Sequence, residues 1–203
     1  GLIASNLAEG QGFSRSSPDL RKPDIQFHFF PAMADDHART KYIGTQGFMV
    51  HACNLYPKSR GNISLQSSDP RLPARIDPRY LDEEEDLHVL VEGAKQAYEI
   101  STQPALSEIA TAGWMPEDRP ETESDWIKFV CERSETIYHP VGTCKMGRRD
   151  DDMAVTDAQG RVHGTENLRV VDASLMPLLV GGNTNAPTIM MAEKISEQMQ
   201  SAS

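Results

Sequence analysis

Strand-type alternation of apolar residues marks the first third of the chain, and helix-type periodicity begins only beyond it. Residues 24–30 (DIQFHFF) alternate with a period of two, as a half-buried strand does. Residues 44–57 predict a second strand, and residues 63–65 are predicted as its hairpin partner. Because strands come first and helices follow, without strand–helix alternation, the sequence predicts an α+β fold. We expect an antiparallel or mixed sheet with helices packed on one side.

Three helices are predicted in the rest of the chain. Asp82 is a candidate cap for the first, and the acidic run 83–86 is suited to the positive end of a helix, where we expect it to be solvent-exposed. The apolar stripe of this helix comprises Leu87, Leu90, Val91, Ala94, Ala97 and Tyr98. A second helix is predicted after Thr122 and the last after Asn185. Residues 168–171 are predicted as a buried strand.

Composition excludes several classes of function. Twenty Lys and Arg against thirty Asp and Glu give a net charge of −10, which disfavours nucleic-acid phosphates and anionic lipids as partners. Apolar runs reach only about six residues, whereas a membrane-spanning helix needs roughly twenty. Three distant cysteines, Cys53, Cys131 and Cys144, suggest a reducing compartment rather than a disulfide framework. No residues have the spacing of zinc ligands, so no metal site is predicted.

Two stretches in the last third are rich in residues that carry chemistry. Residues 135–147 (ETIYHPVGTCKMG) place a His, a Cys and two Gly in a short non-periodic segment. Residues 168–195 run through a Gly-Gly-Asn-Thr-Asn loop into the last predicted helix. Neither contains the G-x-G-x-x-G pattern or a P-loop, so the chain has no recognisable dinucleotide-binding motif of its own.

Both stretches resemble the two C-terminal signatures of the glucose–methanol–choline (GMC) oxidoreductases, flavoenzymes that oxidise alcohols. Residues 5–32, 54–70 and 160–174 resemble further segments of that family in the same order. The resemblance is closest to the bacterial choline and alcohol dehydrogenase branch. It implies that residues 1–203 form the C-terminal, substrate-binding domain of a two-domain flavoenzyme. It also implies that the segment from about 164 to 203 returns to the flavin-binding domain.

The resemblance assigns catalytic roles to two residues. His139 matches the family's catalytic His, and Asn185 matches the second member of the pair. A neutral imidazole is suited to accept the hydroxyl proton of an alcohol, and an amide can hold the substrate oxygen without adding charge. The competing interpretations are a loop His satisfied by the backbone, for His139, and a helix N-cap, for Asn185.

The resemblance also implies contacts with flavin adenine dinucleotide (FAD). The N-terminus of the last helix, with Pro187 in its first turn, is suited to the negative charge of reduced flavin. The residues implied in cofactor binding are Asp172, Ala173, Asn185, Ala186, Pro187 and Thr188. Tyr138, Asn6, Glu9 and His51 are candidates for the substrate pocket, with packing or structural roles as the alternative.

These matches predict that the parent enzyme oxidises choline or another primary alcohol to the aldehyde by hydride transfer to FAD. The competing hypothesis is a stand-alone, non-catalytic binding module that keeps the fold. The partners implied are a small alcohol and the missing flavin-binding domain. The 203 residues alone are expected to be inactive, to retain no FAD and to self-associate. The expected location is the bacterial cytoplasm, with peripheral contact to the inner membrane as an open alternative.

Overall fold

The structure is a computed structural model, and it describes residues 6, 8–33, 46–110, 113, 115–116 and 118–201. The chain forms two compact units. The first comprises residues 1–59 and 81–137, and the second comprises residues 60–80 and 138–203. Antiparallel strands combined with helices confirm the predicted α+β class.

The first unit contains a three-stranded antiparallel sheet. Its strands are β1 (Gly10–Ser14), β2 (Ile25–Phe30) and β3 (Met49–Asn54), in the order β1-β2-β3. Both predicted strands, at 24–30 and within 44–57, are therefore confirmed, with residues 44 and 45 outside the described residues. The prediction that the first is half-buried is wrong, because residues 25–28 are all buried and both faces of β2 are covered there. Because opposite residues of paired strands share a face, Phe27 lies beside Ala52, and His28 lies beside His51 on the other face.

Helix α1 (Glu84–Ser101) covers the apolar face of this sheet. Ile25 and Phe27 pack there against Val89 and Ala97 of the helix. Gly93 allows the close approach, because a Cβ at this position would lie 3.0 Å from the Cβ of Ala52. The sheet is therefore apolar towards α1 and carries its polar side chains on the opposite face.

Two further helices follow α1 in this unit. Helix α2 (Pro104–Ser107) is a single turn, and α3 (Glu123–Arg133) packs Trp126 and Val130 against Val91 of α1. The predicted start of α3 after Thr122 is confirmed by a capping box between Thr122 and Asp125. Helix α1 thus uses one side for the sheet and another for α3, so its buried surface is wider than a single stripe.

The beginning of α1 differs from the sequence prediction. The N-cap position is Glu83, and its side chain forms no capping hydrogen bond, so Asp82 is not the cap. Asp86, expected in the solvent-exposed acidic run, is only 3% exposed. The prediction fails at Asp86 because the helix turns this carboxylate towards the end of β3, where backbone N–H groups need an acceptor.

Asp86 accepts hydrogen bonds from four donors at and just beyond the end of β3. Its Oδ1 accepts from the backbone N–H of Lys58 at 2.8 Å and from Nδ2 of Asn54 at 3.2 Å. Its Oδ2 accepts from the backbone N–H and the hydroxyl of Ser59, at 2.8 and 2.5 Å. Burial alone would raise the pKa of Asp86, but these hydrogen bonds outweigh it and lower the pKa below its usual value.

The second unit contains a short hairpin of β4 (Asn62–Ser64) and β5 (Arg75–Asp77). The prediction that residues 63–65 pair with the second strand is therefore wrong, because β4 pairs with β5. Gly61 allows this pairing because it has no Cβ, and a Cβ there would lie 2.1 Å from the carbonyl oxygen of Asp77. Only a residue without a side chain allows the two backbones to come so close.

The predicted buried strand at 168–171 is also wrong. This segment forms only an isolated bridge, between Arg161 and Arg169, and Leu168 is 52% exposed. The reason is that the chain turns back after Val162, so that the segment bonds to residues 160–162 instead of to a sheet. The N–H of Val162 donates to the carbonyl of Leu168 at 3.1 Å, and the N–H of Val170 donates to that of Gly160 at 2.9 Å. Gly160 has a φ of +73°, and a Cβ there would lie 2.4 Å from the carbonyl oxygen of Val170.

The last predicted helix is confirmed as α4 (Asn185–Ser201), which buries Ile195. The chain enters it after a 3₁₀ turn (Ala173–Leu175) and an irregular loop. Within the described part of the chain, no helix has both the length and the apolar character needed to cross a membrane.

The buried carboxylate of Asp86 predicts a pH-dependent stability. Asp86→Asn should lower the free energy of unfolding at pH 7 by about 1–3 kcal/mol, because an amide cannot accept from all four donors. Folding lowers the pKa of Asp86, so the carboxylate stabilises the folded state fully at pH values above its unfolded-state pKa of about 4. The contribution disappears as the pH falls through the lower pKa of the folded state.

Urea unfolding of the wild type and the variant between pH 7 and pH 2 checks this prediction. The difference between the two proteins should shrink as the medium becomes acidic. Glu84→Gln is the matched control, since Glu84 lies in the same helical turn but is exposed. This control should stay within about 0.5 kcal/mol of the wild type. A pH-independent difference for Asp86→Asn would contradict the assignment.

Candidate active site

The segment that carries His139 is an irregular loop fixed by backbone hydrogen bonds. The N–H of Cys144 donates to the carbonyl of Ser174 at 3.1 Å, and the N–H of Met146 donates to that of Leu175 at 2.8 Å. Leu175 is completely buried. The loop is therefore attached to the 3₁₀ turn at two points, which gives His139 a rigid support without a helix or strand.

His139 contacts a side chain through each of its ring nitrogens. Nδ1 lies 2.9 Å from Oγ1 of Thr184, and Nε2 lies 2.7 Å from Nδ2 of Asn183. Thr184 is buried, with 5% of its surface exposed, whereas Asn183 lies on the exposed side. The imidazole is thus held from the interior at Nδ1 and faces outward at Nε2.

These two contacts fit one tautomer of the neutral His139 ring. An amide nitrogen is only a donor, so Nε2 accepts the hydrogen bond from Asn183 and carries no proton. The proton of the neutral ring is then on Nδ1, which donates it to the Thr184 hydroxyl oxygen. The outward-facing Nε2 consequently presents a lone pair, which is the arrangement that a general base requires.

Tyr138 adopts an unusual backbone conformation directly before His139. Its φ is +61°, in the left-handed region that a residue with a large side chain rarely adopts. This costs about 1–2 kcal/mol, and such conformations persist where the surrounding structure imposes them, often at functional sites. The side chain of Tyr138 is 63% exposed. Its role in a substrate pocket remains a prediction.

Helix α4 begins immediately beside the imidazole. The first intrahelical hydrogen bond runs from the N–H of Thr188 to the carbonyl of Thr184 at 3.0 Å. The cap position is therefore Thr184, and Asn185 is the first helical residue, with an exposed side chain. The N–H groups of Asn185 and Ala186 precede that first bond and have no acceptor within the helix. Pro187 follows in the same turn, where its missing N–H costs nothing.

Asp172 and Ala173 lie at the start of the 3₁₀ turn. Oδ1 of Asp172 accepts from the backbone N–H of Ser174 at 2.8 Å and from its hydroxyl at 2.5 Å. Asp172 therefore caps this turn, and its side chain is exposed. Its predicted contact with a cofactor is untested, and the local role as a cap accounts for the geometry seen.

The other predicted pocket residues belong to the first unit. Asn6 and Glu9 are exposed near the beginning of β1. His51 lies on β3, directly opposite His28, with its ring 5.0 Å from that of Phe30. Their roles in substrate binding remain predictions. Among the described residues, no three His, Cys, Asp or Glu side chains are grouped so that they could hold a metal ion.

Sequence reasoning did not identify Asn183 or Thr184. Both belong to the Asn-Thr-Asn run 183–185, in which the resemblance points to Asn185 as the partner of His139. Spacing alone cannot choose between two asparagines two residues apart, because the choice depends on where the helix begins. The structure brings Asn183 to His139, and Asn185 is the first helical residue, with an exposed side chain.

Comparison with known proteins identifies the family. The family model described as GMC oxidoreductase, in its C-terminal part, matches residues 57–192. This chain belongs to the GMC oxidoreductase family, as the sequence resemblance predicted.

Two curated relatives are similar to almost the whole chain. An alcohol dehydrogenase [acceptor] of Pseudomonas putida is 44% identical over 197 residues, which is 97% of this chain and 35% of that protein. An oxygen-dependent choline dehydrogenase of Pseudomonas entomophila (strain L48) is 42% identical over 200 residues, which is 98% of this chain and 35% of that protein. The chain spans about a third of the length of these relatives.

Solved structures agree with the fold. Pyridoxine 4-oxidase from Mesorbium loti has a TM-score of 0.85 and 25% identity over 95% of this chain and 38% of that one. A formate oxidase of Aspergillus oryzae RIB40 has a TM-score of 0.79 and 22% identity, covering 90% of this chain and 32% of that one. At this identity the second comparison shows the fold alone.

The hydrogen bond to Thr184 should control the tautomer of His139. In the wild type, nitrogen NMR of selectively labelled His should show Nδ1 protonated and Nε2 unprotonated. Thr184→Val keeps the shape but removes the acceptor oxygen, so a mixture of the two tautomers is expected. Thr184→Ser retains the hydroxyl and is the control that should preserve the wild-type spectrum. A wild-type ring protonated on Nε2 would contradict the arrangement.

Proposed function

We propose that this chain is the substrate-binding and catalytic-base part of an FAD-dependent dehydrogenase that oxidises choline or another primary alcohol to the aldehyde. The observation that carries the proposal is the outward-facing Nε2 of His139, in hydrogen-bond contact with an amide. Membership of the GMC family and the two Pseudomonas relatives support an alcohol as the substrate class.

In this proposal His139 is the general base. A substrate hydroxyl that enters beside the ring donates its proton to Nε2, while Nδ1 keeps its hydrogen bond to Thr184. The base becomes an imidazolium whose Nδ1–H is already paired, so little reorganisation accompanies the proton transfer. Removing the hydroxyl proton makes the carbon a better hydride donor.

Asn183 holds the substrate oxygen. Its Nδ2 now donates to Nε2 of His139, and it can instead donate to an oxygen placed between the two groups. The amide carries no charge, so it orients the oxygen and stabilises developing negative charge without changing the charge of the free site. Asn185 and the start of α4 then remain available for the cofactor.

The donor set at the start of α4 fits an anionic flavin edge. The exposed N–H groups of Asn185 and Ala186, with the positive helix end, are suited to negative charge on the pyrimidine part of FAD. Pro187 and Thr188 complete that turn, and Asp172 and Ala173 are proposed near the ribityl–pyrophosphate part. When bound, FAD supplies the acceptor for the hydride that leaves the substrate carbon.

The proposal places the remaining FAD contacts outside these 203 residues. No glycine-rich dinucleotide motif occurs in the sequence, and the relatives are about three times longer. We therefore expect a flavin-binding domain as partner, to which the segment from about 164 to 203 contributes. The alternative, a non-catalytic module, is disfavoured by the complete Thr184–His139–Asn183 arrangement, for which a binding module has no need.

Replacement of His139 tests the base. In the full-length enzyme, His139→Ala should slow flavin reduction by roughly two to four orders of magnitude, the usual contribution of a positioned acid–base group. Substrate binding should change less. Stopped-flow absorbance of flavin in a single turnover measures both. His88→Ala, an exposed His on α1, is the control and should reduce at the wild-type rate. Reduction of His139→Ala within about threefold of wild type would rule out the assignment.

A paired substitution separates the roles of the two asparagines. Asn183→Ala should slow flavin reduction by about 10²–10³-fold, the cost of removing one donor to a developing oxyanion. Flavin reduction should be faster in Asn185→Ala than in Asn183→Ala. The main effect of Asn185→Ala should be on the flavin absorbance spectrum or on the reduction potential. Equal losses in the chemical step for both variants, or a larger loss for Asn185→Ala, would contradict this division and return the catalytic role to Asn185.

A further inference from the structure

The two side chains that contact His139 differ in how firmly they are held. Thr184, at Nδ1, is buried, and its carbonyl accepts from both the N–H and the hydroxyl of Thr188, at 3.0 and 2.7 Å. Asn183, at Nε2, has an exposed side chain and follows Gly182. A Cβ at Gly182 would meet no heavy atom within 4 Å outside its chain neighbours. The Nδ1 contact is therefore anchored, whereas rotation of one exposed side chain releases the Nε2 contact.

The contact at Nε2 occupies the atom that would accept a substrate proton. Nδ2 of Asn183 lies 2.7 Å from Nε2 of His139, and an amide nitrogen only donates, so the hydrogen bond uses the lone pair of Nε2. An unprotonated ring nitrogen has one lone pair in the plane of the ring and cannot also accept a proton from a substrate while that pair is in use. Proton transfer to Nε2 therefore requires that Asn183 first leaves it.

We propose that Asn183 is a latch on His139: its amide covers the lone pair of Nε2 before substrate binds, and the hydroxyl group of the ligand displaces it. This proposal rests on the proposed function in taking Nε2 as the base. Once displaced, the amide donates to the ligand oxygen instead of to the ring. The same group thus covers the base in one state and orients the substrate in the other, while Thr184 holds the ring in place throughout.

The latch favours ligands with a hydroxyl group. A hydroxyl oxygen donates to Nε2 of His139 and accepts from the amide of Asn183 at the same time, so two hydrogen bonds replace the one that is broken. A carbonyl or ether oxygen only accepts, so it gains the amide but leaves Nε2 without a donor. The aldehyde product has such an oxygen. When His139 has given up its proton, the amide can therefore return to Nε2, and this return favours release of the product.

Acylation of His139 measures whether Nε2 is covered. Diethyl pyrocarbonate transfers an ethoxycarbonyl group to an unprotonated imidazole nitrogen, and mass spectrometry measures the rate, with the exposed His88 as internal reference. In the full-length enzyme without substrate, His139 should react about three- to tenfold faster in Asn183→Ala than in the wild type, the effect of losing one hydrogen bond. Asn185→Ala removes an exposed amide two residues away and should react at the wild-type rate. Equal rates in the wild type and Asn183→Ala, or an equal increase in Asn185→Ala, would overturn the latch.

Asn183→Asp provides a second measurement that does not depend on access of a reagent. A carboxylate only accepts hydrogen bonds, so Nε2 of His139 should carry a proton in this variant, as measured by nitrogen NMR of selectively labelled His. Wild-type nitrogen shifts in Asn183→Asp would overturn the proposal, because residue 183 would then not contact the ring. Failure of the proposed function is distinguishable, because it would appear as unimpaired flavin reduction in His139→Ala with acylation of Asn183→Ala still faster than that of the wild type.

Discussion

The buried hydroxyl of Thr156 is the centre of a hydrogen-bond arrangement on which the second unit depends. Thr156 has no exposed surface, and its Oγ1 donates to the carbonyl of Cys144 at 3.2 Å. Its carbonyl accepts from the N–H of Gly147 at 2.9 Å. Isolated bridges join it to Met146 and Val162. Residues 138–184 include no α-helix and no strand of a sheet, so these contacts satisfy the backbone groups that regular structure would otherwise pair.

This support gives a fixed position to the loop residue that we propose as the base. The same loop that Thr156 binds at Cys144 is bound to the 3₁₀ turn, and the chain beyond that turn leads to Thr184 and α4. His139 is therefore fixed at one end by the loop and at its Nδ1 by the residue that caps the helix. The left-handed conformation of Tyr138 lies directly before this supported residue. Catalytic loops in general owe their precision to such rigid surroundings.

The sequence was sufficient where local pattern and tertiary environment agree. The alternation at 24–30 and the predicted helix start after Thr122 both correspond to elements that the structure contains. The sequence was insufficient where the burial or the role of a residue depends on partners that are distant in the chain. Asp86 looks like one member of a solvated acidic run, and only its contact with Lys58 and Ser59, 27 or 28 residues away, makes it a buried structural group.

The same limit applies to strand pairing and to the choice of asparagine. Residues 63–65 have strand character, but a period-2 pattern does not contain the identity of the partner strand. In the run 183–185, the first residue of α4 decides which amide reaches His139, and helix boundaries are uncertain by one or two residues from sequence alone. A shift of two residues changes which side chain contacts His139, so the least predictable feature of the helix decides which amide lies beside the imidazole.

The electrostatics of the site follow from the position of that boundary. Thr184 serves two roles at once, because its hydroxyl oxygen accepts from His139 while its carbonyl begins the hydrogen-bond ladder of α4. The amide of Asn183 contacts Nε2 of the imidazole, the hydroxyl of Thr184 contacts Nδ1, and Asn185 is the first residue of the helix. The backbone N–H groups of Asn185 and Ala186, which have no acceptor within α4, therefore lie at the same helix end as the ring of His139. One helix boundary thus places a polar side chain on each ring nitrogen and an anion-attracting helix end beside them.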